Sequence, residues 1–258
     1  MPSRLNQLLV AILIMTAAGS TSAQSNAFFE LVRKGTPQEV RTAISKGADV
    51  NGRDNEDWTP LMDAAEYNPS PEVVTALLKA GADVKAQTKD GYTALMYAAG
   101  QRNPDVITML LKAGAEVKAW DTLSMTALMW AAAHNQNPEV VTTLLKAGAD
   151  LEDADIDGDT PLMLAACYNQ NPDVVSTLLK AGADVKAQDH IDETALLLAA
   201  RYSRSSDVVA ELLNAGADEK AKDKLGKTAF DYARSNEKLR GTDAYLKLEE
   251  ASKRLQTK

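Results

Sequence analysis

Residues Asp153 to Thr160 read DADIDGDT. Alternate aspartates ahead of a glycine open a calcium loop, where carboxylates meet a hard cation and the glycine makes the sharp turn. Asp153, Asp155 and Asp157 would then be the ligands, with Gly158 at the bend. A full loop also needs a bidentate acid at its twelfth position. Counted from Asp153, that place holds Leu164, inside an expected helix. Cys167 invites a second chemistry, a thiol nucleophile served by His134 or His190. Nothing in the sequence supplies a base beside it. One cysteine allows no internal disulfide, and with two histidines it makes no zinc site unless carboxylates join. There is no Gly-x-Ser-x-Gly, phosphate loop or His-Glu-x-x-His. The expectation is no catalytic residue, no cofactor and no enzyme.

The chain around these residues sets other bounds. Thirty-six acids against 28 bases, a formal net charge of −8 over 258 residues, argue against nucleic acid as a partner. Residues 1–23 differ from the rest: Arg4, an apolar run from Leu8 to Ala18, then small polar residues. That is the pattern of a secretory signal peptide, cut near Ala23 and Gln24. The run is short for a membrane span. The expectation is a periplasmic or secreted protein, monomeric, with no stable membrane insertion after cleavage. An uncleaved anchor is the other reading.

The elements that must hold the candidates repeat. Gly-Ala-Asp/Glu begins at Gly47, Gly81, Gly114, Gly148, Gly182 and Gly216, with spacings of 34, 33, 34, 34 and 34. Thr-Pro/Ala-Leu/Phe begins 12 residues after each, at Thr59, Thr93, Thr126, Thr160, Thr194 and Thr228. Two markers in fixed phase are the signature of a repeat architecture. The threonine suits a helix cap, and proline in the first turn loses no hydrogen bond. Asn137 and Asn171 suit the caps of second helices. Lys79, Lys112, Lys146 and Lys180 fall in their last turns, beside the negative end.

The stretch GADVNGRDNEDWTPLMDAA and its five relatives resemble the ankyrin repeat. The resemblance covers nearly the whole chain after the leader. It implies an all-helical solenoid, with a short β-hairpin finger and two antiparallel helices per repeat. The expected layout is one domain over 24–258: a capping repeat over about 25–57, repeats over about 58–226 and a C-terminal cap over about 227–258. Two departures stand out. The family's histidine after Thr-Pro-Leu is Met62, Met96, Met129 and Met163 here, then Leu197 and Asp231. Its polar tie is therefore expected to be lost to packing. The repeat from Tyr92 also lacks one residue between its helices, which gives the spacing of 33.

The repeat accounts for part of the DADIDGDT pattern. Asp155 matches Asp121, Asp189 and Asp223, and Gly158 matches Gly91 and Gly226, so both are regular finger residues. The crowd of Glu152, Asp153, Asp155, Asp157 and Asp159 still leaves a weak cation or a basic partner open. Such repeats expose a concave face of finger tips and first helices. In the family, the residue before the threonine and those after the Ala-Ala pair make contacts. Carried onto this chain, they are Trp58, Tyr92, Met125 and Asp159, then Tyr67, His134, Tyr168 and Tyr202. Tyr97 and Trp130 precede Ala-Ala pairs and suit either contact or packing, as does Trp120 in a finger. Asp157 completes the acidic finger, while Arg201, Arg204, Lys220, Lys222, Lys224 and Lys227 make the far end basic. Tyr and Trp bury large area at low entropic cost, which suits anchors. The function implied is binding of another protein. An immunity or inhibitor protein for an exported enzyme, and a calcium-stabilised structural protein, are the alternatives.

Overall fold

Thr59 shows how each first helix begins. Its backbone is extended, and its hydroxyl accepts from the Met62 N–H at 3.4 Å, which satisfies one free donor of the helix start. Thr126, Thr160, Thr194 and Thr228 do the same. The tie expected to vanish with the histidine is partly kept. The Met62 and Met129 sulfurs accept from the Thr59 and Thr126 N–H groups at 3.4 Å. Asp231 accepts from both the Thr228 N–H and its hydroxyl. Thioether sulfur is a weak acceptor of about the right reach, so packing alone does not replace the ring.

A computed structural model describes residues 21–68, 70–101 and 103–256, and side chains between 26 and 254 within that range. Most of the expected leader, 1–20, lies outside the described residues. Among the described residues fourteen helices follow in order: α1 (Thr21–Lys34), α2 (Pro37–Ser45), α3 (Pro60–Tyr67), α4 (Pro71–Lys79), α5 (Ala94–Gly100), α6 (Pro104–Lys112), α7 (Ala127–His134), α8 (Pro138–Lys146), α9 (Pro161–Tyr168), α10 (Pro172–Ala181), α11 (Ala195–Tyr202), α12 (Ser206–Asn214), α13 (Ala229–Ala233) and α14 (Asp243–Gln256). No helix among the described residues is long and apolar enough to cross a membrane.

The chain divides into two compact units, Met1–Ala98 with Asn103–Glu116, and Ala99–Arg102 with Val117–Lys258. The division falls in the short repeat that begins at Tyr92, and nothing in the repeat marker announces it. In the first unit α1 packs on α3, and α2, α4 and α6 form a second row. In the second unit α7, α9, α11 and α13 form one row and α8, α10, α12 and α14 the other. Leu128, Met129, Leu162, Met163, Leu196 and Leu197 are fully buried between neighbours. Each such side chain contributes roughly 1.5–3 kcal/mol by leaving water. The alanine pairs of the first helices, Ala131 with Ala132 and Ala165 with Ala166, are buried too, which lets α7 and α9 lie close.

The second helices cap as the sequence requires: Asn137 and Asn171 accept from the Glu139 and Asp173 N–H groups at 3.0 Å. Gly182 ends α10 at φ 103°, where a Cβ would be strained. The fingers depart from the hairpin expectation. Among the described residues there is no strand, only the isolated bridges Gln87 to Thr93 and Trp120 to Thr126. Side chains supply the rest. Asp121 Oδ1 accepts from the Leu123 and Met125 N–H groups, and Asp155, Asp189 and Asp223 repeat that double staple. A single carboxylate oxygen that takes two N–H groups closes a turn without a ladder.

A ladder of buried and half-buried amides that no repeat marker announces crosses the repeats. Asn169 donates to the Ala132 and Asn135 carbonyls, both at 2.8 Å, while its Oδ1 accepts from the Asn171 N–H. Asn135 and Asn236 make the same bridge in the second unit, and Asn68 makes it in the first, to Val32 and Gly35. These are carbonyls at helix C-termini that lack partners of their own.

Candidate partner-binding surface

The opening motif is built as a turn. In Asp155, one carboxylate oxygen takes the Asp157 and Asp159 N–H groups at 2.9 Å, so it is committed to the backbone. Gly158, at φ 89°, faces the next finger so closely that a Cβ would lie 2.9 Å from His190 N. The His190 N–H donates to Asp157 O at 3.1 Å, and Ile156 and Lys224 make the matching bonds to Leu123 and Ile191. The glycine thus serves finger-to-finger packing. Among the described residues, no cluster of His, Cys, Asp and Glu is arranged to hold a metal ion.

In the first unit, the named aromatics form one continuous row. The Arg33 guanidinium lies over Tyr67, Tyr67 stacks on Trp58, Trp58 meets Tyr97 at 4.2 Å, and Tyr97 stacks on Tyr92. Tyr67 is exposed, while Trp58, Tyr92 and Tyr97 are half-buried by one another. Burial pushes the Tyr97 hydroxyl well above the usual phenol range. Arg33 also bonds Asp63 at 2.9 Å, a side chain with no exposure. Burial outweighs that partner and raises the Asp63 carboxyl to about 6.

In the second unit the residues sort differently. Met125 is not on the surface: it is buried with Met129, Ala133 and Leu164, and Trp130 packs against that cluster. A flexible thioether in the slot before the threonine folds inward where a tyrosine cannot. Trp130 is half-buried and donates its Nε1–H to Asp121 at 3.3 Å, so it is largely scaffold. His134 lies 5.3 Å from Trp130 and 6.4 Å from Tyr168, and burial lowers its pKa. Tyr168 and Tyr202 are exposed, at 61% and 48%. Asp157 is exposed and Asp159 half-buried.

Four finger residues missed in the sequence complete this surface. Leu123, Ile156, Ile191 and Leu225 are all about half exposed or more, and Trp120 is 65% exposed. Their signal was an apolar residue one or two places after the finger aspartate, a position that no core needs. Ile191 also lines an open cavity of about 750 Å³ formed by two fingers and the ends of α9 and α11. Cys167 lines it, with its thiol pushed up to about 11 by burial, the wrong direction for a nucleophile at neutral pH.

A family model described as ankyrin repeats (3 copies) matches residues 4–88, 28–121, 65–155, 118–189 and 162–243. The chain belongs to the ankyrin-repeat family. A search of curated proteins found no match. Among solved structures, the ankyrin-repeat domain of human ASB11 is similar, with 26% identity and a TM-score of 0.75. The match covers 86% of this chain and 95% of that one. Ankyrin repeats generally serve as protein-interaction scaffolds, and this ankyrin chain carries the helix pairs and fingers of that scaffold.

Proposed function

We propose that this protein is an exported, monomeric ankyrin-repeat module that binds a partner protein through its fingers and first-helix ends, without catalysis. The observation that carries the reading is the exposure of large apolar side chains there, Tyr168, Tyr202 and Trp120 above all, on positions no core uses. Aromatic and aliphatic groups held rigid on helices and staples lose little entropy on docking. The leader pattern of residues 1–23 supports export. Two measurements test this. Fractionation of the producing cell should place the chain, starting at Gln24, outside the cytoplasm. A pull-down from that fraction should recover a partner with the parent chain and lose it with Tyr168→Ala/Tyr202→Ala. Equal recovery by both would remove the assigned surface.

A further inference from the structure

Resting on that reading, we infer that the cavity between the fingers at 155–159 and 189–193 is an arginine pocket, which takes the guanidinium of a partner's arginine against Tyr168 and Tyr202 and over Asp157 and Asp159. The two tyrosines line the cavity and expose their rings. Four acids line it, Asp157, Asp159, Asp189 and Glu193, against Arg204 and His190. A guanidinium is flat and forked, so it stacks on a ring while its edge pairs with a carboxylate.

The same chain already seats an arginine this way at the cavity's rim. Arg201 lies 4.8 Å over the Tyr202 ring and 5.0 Å over Tyr232, and bonds Glu193 at 3.0 Å. Glu193 is therefore neutralised, and one oxygen of Asp189 is held by the Ile191 and Glu193 N–H groups. Asp157 and Asp159 remain. Asp159 Oδ1 is buried without a hydrogen-bond partner. Burial first, and then Asp155, Asp189, Asp157 and Glu193, push this carboxyl up to about 7. A cation set beside it favours the ionised carboxylate and offsets the repulsion from its acidic neighbours. Lysine fits less well, because a compact, strongly hydrated ammonium gains little from a flat ring wall.

The test is a titration of the whole protein with the peptide acetyl-Gly-Gly-Arg-Gly-Gly-amide, read on the ring NMR signals of Tyr168 and Tyr202. Saturable shifts are expected. The citrulline peptide, isosteric but uncharged, should bind about tenfold more weakly or less. Asp159→Asn and Tyr168→Ala should each weaken the arginine peptide by about threefold or more, with Asp159→Asn melting at or above the parent at pH 8 and Tyr168→Ala melting near it. Equal binding of citrulline, tighter binding of the lysine peptide, or affinity that survives both substitutions would overturn the pocket. A partner recovered by pull-down while the arginine peptide stays silent would remove the pocket and leave the protein-binding reading standing.

Discussion

Asp159 carries a pH signature near neutrality. Its ordinary value is 3.8 and the fold holds it near 7, so between those values the folded state keeps a proton that the unfolded chain has lost. Stability from this group is complete below about pH 4 and is lost as pH rises towards 7. Asp159→Asn should therefore stabilise the protein at pH 8, by about 1 kcal/mol after allowing for its partial exposure, with the gain gone at pH 4. Urea unfolding of both chains at the two pH values measures the difference. Ser124 presents strain of another kind: it sits at φ 60° in the finger place where its sister repeats use Gly91, Gly158 and Gly226. Ser124→Gly should raise stability by roughly 0.5–1 kcal/mol, since only glycine adopts that conformation freely. The reverse change, Gly158→Ala, adds the clash with His190 and should lower the melting midpoint measurably.

The amide ladder matters at the scale of elements. Asn169 joins the end of α9 to the carbonyls at the end of α7, and no water reaches them. Asn169→Ala leaves those carbonyls unpaired and should cost roughly 2–3 kcal/mol. Asn169→Asp keeps the shape but loses both donors, and should cost at least as much; chemical denaturation reads both. The finger staples predict a further outcome. With one oxygen of Asp155 spent on backbone N–H groups, millimolar calcium should leave the melting midpoint unchanged; a rise abolished by Asp155→Ala/Asp157→Ala would show a cation site. The helices and their caps were legible in the sequence because Thr, Asn, Pro and Gly act within one turn of their own position. The ladder was not, because Asn169 meets its partners 34 and 37 residues away.

For the molecule as a whole, repeats within each compact unit touch their neighbours, so local losses at sites that share no partner should add. Asn68→Ala and Asn169→Ala, placed in different compact units, should together cost the sum of their separate effects within about 0.5 kcal/mol. The proposed contact residues Tyr168 and Tyr202 should behave oppositely. Their double alanine variant should melt near the parent and yet lose about tenfold or more in partner affinity. Residue type and spacing by themselves determined the repeat, its phase and the cap residues, and the single cysteine determined that no internal disulfide forms. The tertiary structure decided which of the slots face water. Trp58 and Tyr92 are half covered by Tyr97, Met125 turns into a core, and Leu123, Ile156, Ile191 and Leu225 stay outside. Exposure is a property of what lies alongside, and residues one repeat away in sequence are the ones that lie alongside.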